Sequence, residues 1–382
     1  MRYLLHRMKR FCGFATGFVF VISGILKLMD PVGTGLIVKE YLDFLHMGFL
    51  EPAAKPLGAI LALTEAILGT GLITGVWRQI ITPVIIGLQS IFTFITLILV
   101  IFNPEMDCGC FGEAIQLTHW ETFVKNIILI ILLLIYYIPS KQLGGTQKRK
   151  YISFSIVTAS VVMFMLYSWA YMPLVEYTEY RPGLSIKNAN AGVEYEAVFV
   201  YEKNGKQKTF SLENLPDSTW TFVSAETAVK SGKASGTGLS FYGRNGEYAD
   251  SLATKGKVIV VSVYDTDTPE KKLTRIKSFM KNAEHAGFTA LLLASAPIDG
   301  IDNVFTADYK TLITLNRSNG GATYFQDGYL ISKWSMRGYP EIEDLDRIHS
   351  EDITEGIIGK ETQESLTFQA FLLYVFAVML LL

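Results

Sequence analysis

Residues Phe11 to Met29 read FCGFATGFVFVISGILKLM, nineteen positions with a single charge, Lys27. At about 1.5 Å per residue such a helix is nearly as long as the roughly 30 Å of hydrocarbon in a bilayer. Length and apolarity together dictate a transmembrane helix. The pattern recurs at Pro56 to Trp77, Ile80 to Phe102, Phe123 to Ile138 and Tyr151 to Met172, and a sixth run, Thr367 to Leu382, is uncharged but short. The 382-residue chain is 50% hydrophobic and only 18% charged, too apolar for a soluble protein of this size. The first run follows Arg2, Arg7, Lys9 and Arg10 but lacks a small-residue cleavage site, so a retained anchor is expected and not a signal peptide.

Basic residues set the expected orientation. The N-terminal segment, Arg78 between the second and third runs, and Lys141, Lys148, Arg149 and Lys150 after the fourth all fall on one side if the runs cross alternately. The positive-inside rule makes that side the cytoplasm of a multi-pass membrane protein. Residues 174–366 then lie on the outer side, as does the loop around Cys108, which has no Lys or Arg between Asn103 and Trp120. The outer segment has 21 basic and 27 acidic residues, a balance that argues against nucleic acid as a partner.

The fold class that follows is an α-helical membrane bundle with an α/β extracytoplasmic domain. Residues 1–140 form a four-helix membrane domain, residues 141–173 a basic loop and a fifth span, and 367–382 a short terminal run that is only a candidate span. The stretch GTGLIVKEYLDFLHMGFLEP between the first two spans has helical apolar spacing and is expected at the outer interface. In the outer segment EYEAVFVYEKNGKQKTFSL is a hairpin turning at Asn204-Gly205, and GKVIVVSVYD is a buried strand. A helix follows with Thr268 as cap, Pro269 as first residue and Gly287 as stop. Then come the strand FTALLLASA, the helix TADYKTLITLN, a hairpin turning at Asp327-Gly328 and the closing helix YPEIEDLDRI.

Chemistry concentrates in EMDCGCFGEAIQLTHW, residues 105–120, which holds Cys108 and Cys110, two of three cysteines in the chain. On the oxidising side of a membrane a disulfide between them is allowed. A ring this small is strained and makes the pair an electron acceptor, and it removes little chain entropy, so a structural staple is a poor explanation. Two other readings stand beside this one. Cys108, Cys110 and His119, with Asp107, form a weak metal set with three good ligands in one loop, and the cysteines also suit plain loop packing. Inside the bilayer Glu65, Lys27 and Gln89 are the polar site candidates, because buried charge is costly. A Lys27–Glu65 pair or a Glu65–Gln89 hydrogen bond would accommodate Glu65, while Lys27 near a helix end also suits snorkelling. Trp169, Tyr171, Tyr177 and Tyr180 read as an interfacial aromatic belt, and His285 and His349 lie on surface helices without clustered partners.

The CGCFG loop, followed by Lys125 and Asn126 at the head of the next helix, resembles the MauE group of membrane proteins, and FVFVISGILKLMDP looks like the opening of the related DoxX group. The similarity spans about residues 10–140. It implies membrane-embedded thiol–disulfide handling in the maturation of envelope proteins, with Cys108 and Cys110 as the matching cysteines and a quinone as an allowed cofactor. The sequence departs from quinone-linked relatives in lacking a second outward cysteine pair, and Cys12 lies near the opposite end of the first helix. Residues 239–348 follow the element order of a thioredoxin-like, TlpA-like domain. Its cysteine motif is replaced by YDTDTPE and its cis-proline position by Gly320, Gly321 and Ala322. The competing function is therefore a non-enzymatic assembly protein whose outer domain binds an envelope partner or membrane complex, and a transporter is a third.

Overall fold

The computed structural model describes residues 2–104, 106–137, 146–186, 194–203, 206–211, 216, 219–231, 238–243, 246–298, 301 and 303–381. The chain divides into two compact units. One is Met1–Thr178 with Ile313–Ala322 and Lys333–Leu382; the other is Glu179–Leu312 with Thr323–Ser332.

The first unit is a helical bundle. α1 spans Arg2–Met29, α2 Pro31–Phe44, α3 Ala54–Thr74 and α4 Arg78–Phe102. After the loop and a short strand β1, Cys110–Glu113, follow α5 (His119–Tyr137) and α6 (Lys148–Ala170). Among the described residues five of its helices are long and apolar enough to cross a membrane, in line with the five longer runs. The apolar part of the sixth run stays shorter than the five spans. It ends a helix spanning Ile353–Leu381, which is apolar over Ser365–Leu381 and stacks Phe371 on Phe164 of α6 at 4.5 Å. Lys141 falls outside the described residues.

α1 and α3 touch backbone to backbone because glycines face each other. A Cβ on Gly24 would stand 2.6 Å from the Ala62 carbonyl oxygen, and one on Gly69 would stand 2.7 Å from that of Gly17. Small residues here let two membrane helices approach closely. α2 begins where Pro31 supplies the helical φ and Asp30 caps the helix, its Oδ1 accepting from the Gly33 amide at 2.9 Å.

The second unit carries the sheets. β2 (Glu194–Lys203) pairs antiparallel with β3 (Lys206–Ser211) in the expected hairpin, while the Asn204-Gly205 turn lies outside the described residues. β4 (Thr221–Ser231), which sequence periodicity did not predict, pairs with the other side of β2. The larger sheet runs β7-β6-β5-β8-β9. Its strands are β5 (Lys257–Val263), β6 (Thr289–Ala294), β7 (Val304–Thr306), β8 (Gly321–Gln326) and β9 (Tyr329–Trp334). β5, β6 and β7 are parallel, and all of β5 after Lys257 is buried, as its β-branched run requires. α7 (Glu270–His285) links β5 to β6 and α8 (Tyr309–Leu315) precedes β8; α9 (Ile342–Ser350), which follows β9 in the chain, belongs to the first unit.

Two expectations change and one holds. The cap of α7 is Pro269 and not Thr268, whose hydroxyl instead donates to the Asp265 carbonyl at 2.5 Å. Asp327-Gly328 does turn the hairpin, with both φ angles positive. Tyr180 is no belt residue: it is 4% exposed, and its hydroxyl donates to the Gly238 carbonyl at 2.6 Å.

Candidate functional site

The loop between α4 and α5 is held at each cysteine. Gly109 between them has φ +59°, a left-handed conformation that a side chain would resist, and a Cβ there would collide with Ile37 of α2. The Tyr41 hydroxyl donates to the Cys108 carbonyl at 2.9 Å. The Cys110 carbonyl lies 2.6 Å from Ser23 Oγ of α1. Both cysteines carry free thiols; Cys108 is buried and Cys110 half-buried.

Cys108 Sγ lies 2.8 Å from His119 Nδ1, and His119 Nε2 lies 3.0 Å from the Pro104 carbonyl. A carbonyl only accepts, so Nε2 bears the hydrogen and Nδ1 is left as an acceptor for the Cys108 S–H. His119 is thereby oriented as a base towards one thiol. Burial pushes the Cys108 thiol above its ordinary value, aided by Cys110 and Asp107 and opposed by the Thr122 hydroxyl and the Lys125 ammonium. The thiol form prevails at rest, and its reaction needs a proton acceptor such as the imidazole beside it.

Beneath Cys110 lies the polar cluster. Lys27 Nζ donates to Glu65 Oε1 at 2.6 Å and to Ser23 Oγ at 3.2 Å, with side chains 8% and 1% exposed for Lys27 and Glu65. Ser23 Oγ is also 2.6 Å from Glu65 Oε2, so one hydroxyl joins the ion pair to the Cys110 peptide. Lys27 is therefore buried and paired, and does not snorkel. Gln89 does not bond Glu65; its Nε2 donates to the Asn126 carbonyl at 3.4 Å, and Asn126 Nδ2 to Thr96 at 3.2 Å. Ser23, Lys27, Glu65, Gln89 and Asn126, with Cys110, Phe92 and Lys125, line a cavity of about 30 Å³. That is room for one or two waters.

Of the sequence candidates, Cys108 and His119 meet, and Cys110, Glu65, Lys27 and Gln89 share the cavity. The metal set is not assembled: among the described residues no three His, Cys, Asp or Glu side chains are grouped to hold an ion. Ser23 and Tyr41 escaped sequence reasoning, and Lys125 entered it only as part of the family motif. Ser23 had one signal, its i,i+4 spacing to Lys27 on a helix face.

Residues 5–139 match the family described as methylamine utilisation protein MauE. The membrane part is MauE-like. Residues 195–231 match a domain of unknown function. Protein TlpB of Flavobacterium psychrophilum is 28% identical over 155 residues, which cover 39% of this chain and 41% of that relative. The chain thus spans about two fifths of the length of this curated relative. No solved structure matches the chain.

Proposed function

We propose that this MauE-like protein exchanges disulfides with extracytoplasmic proteins through Cys108 and Cys110. The observation that carries the reading is the Cys108–His119 contact at 2.8 Å, with the imidazole pinned by Pro104. The two thiols differ in a way that assigns roles. Cys110, the more exposed, is the sulfur a partner reaches; Cys108, buried and held protonated, is the resolving sulfur.

When the pair is oxidised, a client thiol loses its proton, which His119 Nδ1 takes up, and attacks Cys110 Sγ as thiolate; the Cys108–Cys110 bond breaks, and Cys108 leaves as thiolate and takes that proton from His119. The client's second thiolate then attacks the client sulfur of the mixed disulfide, releasing Cys110. The client dithiol has become a disulfide and the pair a dithiol. A disulfide-bearing carrier protein reverses the sequence: the Cys110 thiolate attacks one carrier sulfur and the other leaves as thiolate; His119 then removes the Cys108 proton and passes it to solvent, and Cys108 attacks Cys110 Sγ, releasing the carrier's second thiolate. Strain in so small a ring favours giving the disulfide away.

The second unit serves as a docking module in this reading. Its strand order, with α7 crossing between parallel β5 and β6, supports a thioredoxin-like plan. No cysteine follows Cys110, so thiol chemistry stays in the loop. The same lack of cysteines favours the scaffold reading, in which the outer domain holds a partner irrespective of the loop. The excess of Lys and Arg on one side supports a cytoplasmic N-terminus and periplasmic residues 174–366 in a bacterial inner membrane.

The test uses the full chain in lipid nanodiscs with the pair pre-oxidised. It should oxidise a dithiol peptide stoichiometrically, and Cys108→Ser/Cys110→Ser should not. Equal peptide oxidation by both proteins would overturn the reading, and partner capture unaffected by the double substitution would favour scaffolding.

A further inference from the structure

β1 is held at its far end by a residue that comes from very distant sequence. Arg317 lies in the turn between α8 and β8, within the segment 313–322 that belongs to the bundle unit. Its side chain is 2% exposed. Nε donates to Asp30 Oδ2 at 2.9 Å, Nη2 donates to Glu113 Oε1, and Nη1 donates to the Ile313 carbonyl at 3.2 Å. Asp30 caps α2 immediately after α1, and Glu113 is three residues beyond Cys110 on the same strand. The guanidinium therefore ties the cysteine strand to the junction of α1 and α2.

The turn is built to present this group. Asn316 Nδ2 donates to the carbonyls of Ala322 at 3.0 Å and Trp334 at 3.3 Å, and its Oδ1 accepts from the Ser318 amide at 3.0 Å. Ser318 Oγ in turn accepts from the Met336 amide at 3.1 Å. Gly33 leaves the room the cluster fills, since a Cβ there would stand 2.8 Å from Glu113 Oε1 and 3.0 Å from Arg317 Nη2. A planar fork against two carboxylates fixes direction as well as distance, which an ammonium does not.

We propose that Arg317 is a positioning residue of the thiol loop, acting through Glu113 to hold β1 and Cys110 in register with Ser23 and His119. Three anchors then fix the loop: Tyr41 at Cys108, Ser23 at Cys110 and Arg317 at Glu113. The C-terminal half of the chain becomes part of the site without supplying a thiol, and a force on segment 313–322 is felt at Cys110. This inference rests on the exchange reading for its catalytic consequence, while its geometric content stands apart.

Two rates on the full chain in nanodiscs test it. One is alkylation of Cys108 by iodoacetamide in the dithiol form, in a Cys12→Ser background and resolved by peptide mass spectrometry. The other is release of thionitrobenzoate from a mixed disulfide on Cys110, which reports attack by Cys108. Arg317→Met should raise the first about fivefold as the loop loosens, and lower the second about tenfold as alignment is lost. Glu113→Gln should do the same, and the double variant should be no worse than Arg317→Met alone, because both cut one tether. Arg317→Lys, which retains charge without the fork, should be intermediate and serves where Arg317→Met does not fold. Rates within twofold of wild type for both single variants, or effects that multiply in the double variant, would overturn the proposal. Wild-type protein that releases no thionitrobenzoate would sink the exchange reading, while the alkylation rates still decide the tether.

Discussion

His119→Ala isolates the proton step. In the dithiol form Cys108 must lose its proton before it attacks, and the only base placed on its sulfur among the described residues is His119 Nδ1 at 2.8 Å. Positioned general bases contribute about 10²–10⁴ in rate, and the lower end applies because thiols ionise unaided more readily than alcohols. At pH 7 the variant should resolve a Cys110 mixed disulfide about 100-fold more slowly. Burial holds the Cys108 thiol above its ordinary value, so raising the pH ionises it without help. The deficit should narrow steadily above pH 8, with the variant's rate climbing roughly tenfold per pH unit until the thiol has titrated. Stopped-flow release of thionitrobenzoate reads both rates. A variant that resolves as fast as wild type at pH 7, or that stays slow by the same factor up to pH 10, would refute the assignment of His119 as base.

Other consequences concern what holds the site. Removing one member of the buried Lys27–Glu65 pair, as in Lys27→Met or Glu65→Gln, should cost about 3–5 kcal/mol, whereas Lys27→Met/Glu65→Met should cost less than either single change; thermal unfolding in nanodiscs gives the ordering, and additive losses would contradict it. Gly24→Ala forces a methyl against the Ala62 backbone, so α1 and α3 should separate at a cost of about 1–3 kcal/mol, seen in the same assay. Glu176 and Lys333 form a buried pair at 2.8 Å; burial works against the Glu176 carboxylate, but Lys333 wins and holds it below the ordinary carboxylate range. Because the folded-state value is depressed, its stabilisation is present above the unfolded value of about 4.3 and is lost as pH falls through the folded one. Glu176→Gln should therefore destabilise the protein at pH 7 and converge with wild type in strong acid; a gap constant with pH would count against the pair.

The membrane helices were legible because apolar runs of transmembrane length leave few alternatives, and β5 because its β-branched run has no polar face. β4, TFVSAETAVKS, was not, since Ala, Glu and Lys dilute its alternation. The α7 start was misplaced by one residue because Thr268 and Pro269 both carry start signals, and the Thr268 hydroxyl turned back to Asp265. At the site, Cys108, Cys110, Glu65 and Lys27 stood out by chemical type alone. His119 was noticed as a ligand, but its role follows from the Pro104 carbonyl, which fixes the tautomer and which spacing does not reveal. Arg317 was beyond reach: its partners lie 287 and 204 residues away, and a lone arginine in a Gly-Asn turn reads as a surface group.

The central claim is that Cys108 and Cys110 are unequal partners in disulfide exchange. Its most direct test is trapping mixed disulfides in growing cells by acid quench and thiol alkylation, comparing Cys108→Ser with Cys110→Ser. The account predicts partner proteins linked through Cys110 in Cys108→Ser and no adducts in Cys110→Ser, with wild type showing a fraction of the pair oxidised. Adducts absent from both variants, with both wild-type thiols reduced and the double serine variant fully active, would contradict it.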